Sequence, residues 1–196
     1  TRRGSLSKVL DGIEAAKKAG LSVKINTVAL KENNEDELTE ILKWAHNNDC
    51  DMTIIETMPL GEIDYDRTDQ FLPISKVKEN ISKQFTLIKS SHYTGGPSRY
   101  FDVKETGKRI GFITPLTHNF CELCNRVRLT CTGKLYMCLG QNDSADFKKA
   151  ARSENWESSL NEAITEAISR KPKGHDFVIR RKQEPSVNRH MSVTGG

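Results

Sequence analysis

No stretch of the chain approaches the roughly twenty apolar residues that a membrane-spanning helix needs, and no signal-like apolar run stands near its start. The first absence excludes a helical membrane span and the second argues against export. The five cysteines are therefore read in a reducing, cytoplasmic setting, where such spacing is more often metal-binding than disulfide-forming. Apolar residues are also scarce: hydrophobic content is 36% and charged content 29%, so a large solvated surface or mobile ends are expected. The formal charge, +4, is too small to argue by itself for nucleic acid. The local cluster Arg180, Arg181, Lys182 reads first as a solvated strand or tail. An initiator methionine is missing too, since the chain opens Thr1-Arg2-Arg3-Gly4, and the expectation is a fragment or a processed product. The length of 196 residues does allow one well-formed domain, or one and a half, whose core needs no metal to hold it.

Helical spacing of Leu6, Val9, Leu10, Ile13 and Ala16 predicts an amphipathic helix from Ser5 to Ala19, ended by Gly20. The branched run Val23 to Leu30 predicts a strand, Glu35 to Asn47 a second helix, and Met52 to Met58 a second strand closed by Pro59 and Gly61. This alternation is what βαβ units produce: a doubly wound sheet or part of a barrel. In such folds ligands sit at the carboxyl ends of strands, which marks Glu56, Thr57 and Met58. Further on, a helix over Ile74–Lys83, a strand over Phe85–Ile88 and a hairpin of Tyr100–Val103 with Arg109–Ile113 around Gly107 are expected. Leu135–Cys138 reads as a strand, and Asp146–Ser153 and Ser159–Ser169 as helices, the latter opened by a Ser159/Glu162 capping box. Beyond Pro172 the chain is basic and poor in apolar residues, and its composition suits a floppy tail.

Chemistry concentrates in Phe120-Cys121-Glu122-Leu123-Cys124-Asn125-Arg126-Val127-Arg128, followed after thirteen intervening residues by Cys138. Two thiolates three residues apart can wrap one metal centre without backbone strain. With Cys131 or His118 as a fourth ligand the set would make a zinc knot. With three cysteines alone, a 4Fe-4S cluster would keep one iron free of protein ligands. Spacing leaves both open, with free buried thiols a minor third reading. Arg126 and Arg128 offer planar forks that match phosphate oxygens. Metal and phosphate side by side suggest nucleotide chemistry. Lys24 lies near the start of its strand, where position alone favours a solvated lysine.

The run Asn119 to Arg128, where related chains have Asp-Phe-Cys-x-x-Cys-Asn-Arg-x-Arg, together with Thr132 to Leu139, closely resembles the molybdenum cofactor biosynthesis protein A (MoaA) family. These are radical SAM enzymes, the GTP 3',8-cyclases. The resemblance extends to Lys24–Val28, Ile55–Met58 and the final Gly195-Gly196, and so covers nearly the whole chain. It implies an α/β fold, with the later strands of an incomplete (β/α) barrel over residues 1–90. A carboxyl-terminal α+β region carrying a second Fe-S site would follow over 91–196.

By the same resemblance, Cys121, Cys124 and Cys138 would hold a 4Fe-4S cluster whose open iron binds the guanine of GTP, and Cys131 would be a bystander. Arg126, Val127, Arg128 and Lys24 match GTP-contacting positions, and Met58 matches a position beside S-adenosylmethionine. Gly195 and Gly196 match a tail that reaches into the active site, which displaces the disordered reading for the last residues. Thr53 stands where the family often has arginine, so one phosphate contact is altered. The chain contains no CxxxCxxC, the motif that holds the first, SAM-cleaving 4Fe-4S cluster, so this portion is expected to bind without turning over. The implied partners are GTP, S-adenosylmethionine and, downstream, cyclic pyranopterin monophosphate synthase. Neither nucleic acid nor membrane is implied, and a homodimer is admitted. A zinc-stabilised nucleotide or RNA-binding module using Cys121, Cys124, Cys131 and Cys138 is the alternative. No role is assigned to Cys50.

Overall fold

A computed structural model describes residues 4–61, 66–118 and 120–194. In chain order the regular elements are α1 (Leu6–Lys18), β1 (Lys24–Ala29), α2 (Leu38–Asn47), β2 (Asp51–Glu56), α3 (Arg67–Gln70), α4 (Ile74–Ser82), β3 (Leu87–Lys89), β4 (Arg99–Val103), β5 (Lys108–Ile113), β6 (Arg128–Leu129), β7 (Lys134–Tyr136), β8 (Ser144–Asp146), α5 (Phe147–Ala150) and α6 (Trp156–Ser169). The chain divides into two compact units, one of residues 1–57 with 72–114 and one of residues 58–71 with 115–196. The fold is α/β, as the alternating pattern implied.

The first unit is a five-stranded mixed sheet ordered β1-β2-β5-β4-β3. β1 runs parallel to β2 and β2 parallel to β5, whereas β4 is antiparallel to both β5 and β3. The expected hairpin around Gly107 is therefore formed by β4 and β5, and Gly107 supplies the positive φ (67°) that their turn requires. Strand alternation gives the sheet two unlike faces. Met52, Ile54, Ile110, Phe112 and Val103 point into a core completed by Leu38, Leu42 and Ala45 of α2 and by Ile74, Val77 and Ile81 of α4. These helical residues recur at three- and four-residue spacing, which puts them on one stripe. Cys50 belongs to this core, fully buried, with its thiol donating to the Asn48 carbonyl at 3.3 Å. Burial pushes that thiol's pKa up, so Cys50 is a packing residue.

Several expected boundaries move for identifiable reasons. α2 starts at Leu38 because Asn34 turns back on the chain, its amide oxygen accepting from the Leu30 N–H (2.9 Å) and its amide nitrogen donating to the Val28 carbonyl (2.9 Å). α1 forms as expected, but Leu6 and Val9 of its apolar stripe are exposed.

The second unit holds a three-stranded antiparallel sheet ordered β6-β7-β8, covered by α5 and α6, with Leu135, Met137 and Ala167 at its centre. Asp146, expected inside a helix, instead caps α5 by accepting from the N–H groups of Lys148 and Lys149. α6 begins at Trp156, three residues before the expected capping box. Ser159 already lies in its first turn, donating its N–H to the Asn155 carbonyl, and Glu162 accepts from Ser158 instead. Residues 58–61 and 66–69 are joined in this unit to residues 180–190 by a bridge between Leu60 and Val187 and by the Lys182 N–H donating to Asp66. Among the described residues no helix is long and apolar enough to cross a membrane.

Candidate functional site

Two places gather the side chains singled out by sequence, one in each unit. In the first unit the sheet face opposite the core carries Lys24, Asn26, Thr53, Gly111 and Tyr100 on neighbouring strands. Lys24 Nζ donates to the phenolic oxygen of Tyr100 at 3.1 Å. Thr94 Oγ1 lies 3.4 Å from the same oxygen. Although burial pushes the Tyr100 phenol up, the hydrogen bonds from Thr94 and Lys24 outweigh it and leave its pKa below the ordinary value.

The edge of the Tyr100 ring meets His92, with centroids 4.8 Å apart. His92 Nδ1 is 3.1 Å from the Arg109 guanidinium, which in turn pairs with Asp51 at 2.8 Å. Lys24 is exposed, as its position suggested, and its ammonium is tied to this face through Tyr100.

Gly111 makes room for this network: a Cβ there would sit 2.2 Å from Ser98 Oγ, 2.9 Å from the Tyr100 ring and 3.0 Å from Thr53 Oγ1. Thr53 is fully buried, and among the described residues its hydroxyl has no hydrogen-bond partner. Tyr100, Thr94, His92 and Arg109 were not marked by sequence reasoning. The available signal was the polar alternation of β1 and β2, which designates one face but not the residues that complete it from β4 and β5.

In the second unit Cys121 opens a single turn of 3₁₀-helix, Cys121–Leu123, and the Cys124 N–H donates to the Cys121 carbonyl at 3.0 Å. That turn is what a two-residue gap between ligands allows. Cys121 and Cys124 line a cavity of about 350 Å³ with Glu122, Lys171, Pro172 and Lys173. Cys138 follows β7 by two residues and is half-buried. Burial pushes the Cys121 thiol pKa up, partly offset by the backbone N–H of His175 bonding to its sulfur. The neighbouring charges of Cys138 and Cys124 push it up further, so all three sulfurs share one electrostatic neighbourhood. Cys131 is exposed at the turn between β6 and β7, and His118 is exposed as well. Among the described residues no three His, Cys, Asp or Glu side chains are drawn together tightly enough to hold a single metal ion.

Arg126 and Val127 are exposed on the segment between Cys124 and β6, and Arg128 opens β6 opposite Tyr136. Met58 is half-buried, and its carbonyl accepts from the Leu60 N–H at 2.9 Å and from Arg67 at 3.3 Å. Glu56 ends β2 fully buried. The segment after Pro172 is held by specific bonds. His175 Nε2 donates to the Pro115 carbonyl at 2.8 Å. Arg189 donates to the carbonyls of Leu139 and Gln141, each at 3.0 Å, and to Asn142 at 2.8 Å, with its guanidinium 4.0 Å above the Tyr136 ring. A 3₁₀ turn over Met191–Thr194 follows, with Thr194 buried. Gly195 and Gly196 lie outside the described residues.

Comparison with known proteins places residues 50–177 in a match to the family model described as Molybdenum Cofactor Synthesis C. Over 197 aligned residues the chain is 62% identical to proteins named GTP 3',8-cyclase from Brucella ovis and Brucella canis, and 61% identical to one from Brucella abortus. Each alignment covers 100% of this chain and 57% of the relative. The chain thus spans a little over half the length of the curated relatives it matches.

Proposed function

The chain belongs to the Molybdenum Cofactor Synthesis C family, and from that we propose that it is the carboxyl-terminal portion of a GTP 3',8-cyclase acting in molybdenum cofactor biosynthesis. The whole-chain identity to proteins of that name carries the reading. In it, Cys121, Cys124 and Cys138 hold a 4Fe-4S cluster, and Lys24, Arg126, Val127 and Arg128 contact GTP. Met58 lies beside S-adenosylmethionine, and Gly195 and Gly196 reach toward the reacting centre. The parallel strands β1, β2 and β5 are the later strands of an incomplete (β/α) barrel whose inner face is the polar one bearing Lys24. The whole enzyme then converts GTP to (8S)-3',8-cyclo-7,8-dihydroguanosine 5'-triphosphate, using S-adenosylmethionine and a first cluster held by a CxxxCxxC that this sequence does not contain.

The donor set fits a cluster better than a single ion. Thiolates around one zinc stand about 3.8 Å apart, given tetrahedral Zn–S bonds of about 2.3 Å. A four-iron cluster gives each thiolate its own iron and so accepts donors spread more widely. Three thiols in one neighbourhood, with Cys131 exposed at the turn between β6 and β7, suit thiolates that each hold a separate iron. Bound there, the cluster would supply an iron atom free of protein ligands at which a purine base can be held.

The protein's own part is binding and aim. Arg126 and Arg128 present paired guanidinium forks to a triphosphate, and Tyr100 fixes the ammonium of Lys24 by its phenolic oxygen. A base and a polyphosphate held at separate points leave the ribose little freedom, which is what selecting one of its positions requires.

Anaerobic reconstitution tests the reading. About four iron and four sulfide per chain are expected, with GTP binding weakened by Arg126→Ala or Arg128→Ala. Stoichiometric zinc protecting Cys121, Cys124, Cys131 and Cys138 would overturn the cluster, and unchanged GTP affinity in both arginine variants would overturn the nucleotide assignment. With no CxxxCxxC present, cyclised product from this chain alone is not expected, and its detection would refute that division of labour.

A further inference from the structure

Lys171 lies two residues past the end of α6, and its ammonium bonds two segments 45 and 34 positions away in sequence. Nζ donates to the carbonyl of Arg126 at 2.8 Å and to the carbonyl of Met137 at 2.6 Å. Arg126 lies just after Cys124, and Met137 immediately before Cys138. A lysine at a helix end ordinarily bonds that helix's own last carbonyls. Here both acceptors belong to other segments, the two that bear the cysteines. Lys171 also lines the cavity of about 350 Å³ beside Cys121 and Cys124. An ammonium has three donors, so two bonds to carbonyls leave one for whatever occupies that cavity.

We propose that Lys171 is the positioning residue of the cysteine site: it draws Cys138 to the Cys121–Cys124 pair and sets a positive charge beside the thiolates. The inference rests on the reading that these cysteines hold an iron-sulfur cluster. Its physical basis is that thiolates brought together repel one another, and that charge and hydrogen bonds around a cluster tune its potential. The backbone N–H of His175, which bonds the Cys121 sulfur from four residues further along, belongs to the same support.

The test compares the full chain with Lys171→Met, Lys171→Gln and Lys171→Arg after anaerobic reconstitution. Iron and sulfide per chain, reduction potential and the electron paramagnetic resonance signal of the reduced protein are read, with circular dichroism as a check of folding. Lys171→Met is expected to load several-fold less cluster, and what loads should show a more negative potential and an altered signal. Lys171→Gln keeps a donor without the charge, so it should load more fully while its potential still falls. Lys171→Arg should recover both. Wild-type loading, potential and signal in the Met and Gln variants would overturn the inference while leaving the cluster reading intact. Should Lys171→Met fail to fold, the potential of Lys171→Gln decides alone. No iron uptake by the wild-type chain would remove the cluster reading, and this inference with it.

Discussion

Arg189→Lys should loosen the terminal segment of the second unit while leaving its net charge unchanged. The guanidinium makes three hydrogen bonds, to the carbonyls of Leu139 and Gln141 and to the side chain of Asn142, and stacks on Tyr136. Each bond contributes about 0.5–1.5 kcal/mol net, and Arg189 is half-exposed, which puts the set at roughly 2–3 kcal/mol after allowance for solvent screening. An ammonium at that position can keep one bond and cannot form the fork, so the loss is about 1–2 kcal/mol. A change of that size multiplies a local opening equilibrium about 5- to 30-fold. Hydrogen exchange monitored by mass spectrometry should therefore show correspondingly faster exchange in peptides spanning residues 186–193. The effect should reach residues 58–61, because the Gly61 N–H donates to the Val187 carbonyl and the Ser186 N–H to the Pro59 carbonyl. Unchanged exchange in both regions would refute the view that Arg189 is what pins this segment.

Gly111→Ala forces a Cβ to within 2.2 Å of Ser98 Oγ and 2.9 Å of the Tyr100 ring, and should lower stability by about 1–3 kcal/mol in urea unfolding; an unshifted midpoint would show the face is not tightly packed. Thr53→Val removes a buried hydroxyl that has no partner among the described residues and should be neutral or stabilising by about 1 kcal/mol, whereas a clear loss would reveal a partner for that hydroxyl. Asp66 is held at a pKa of about 2, below its usual 3.8, by the Thr68 hydroxyl, then the N–H groups of Lys182 and Thr68. Its folded pKa is the lower one, so its contribution is complete above the ordinary aspartate range and is lost as pH falls through about 2. Asp66→Asn should flatten that part of the acid-unfolding curve, and an unchanged curve would show that Asp66 does not contribute to it.

Much of the first unit was legible because its signals are periodic. The βαβ alternation, the hairpin at Gly107 and the helical stripes of α2 and α4 follow from residue spacing alone. What moved were boundaries settled by single side chains, such as Asn34 holding back α2 and Asp146 serving as a cap instead of a helical residue. The cysteine segment was legible as a motif, but the group that organises it was not: Lys171 sits in a basic stretch whose composition suggests solvent, and only tertiary structure gives its ammonium two carbonyl partners. The same holds for Tyr100, whose value lies in meeting Lys24, a residue 76 positions away.

The pairing of Leu60 and Asp66 with Val187 and Lys182 bears on biogenesis. Lys182 and Asp66, whose hydrogen bond helps join the two strips, are 116 positions apart. A ribosome adding about 5–20 residues per second needs roughly 6 to 23 seconds to release the later strip after the earlier one. Throughout that interval the earlier strip has no partner to close on, so the second unit cannot be completed until the later strip has emerged. Loss of residues 180–190 would therefore leave a product whose second unit lacks the Leu60–Val187 bridge and the Lys182–Asp66 bond, a natural substrate for chaperones and proteases.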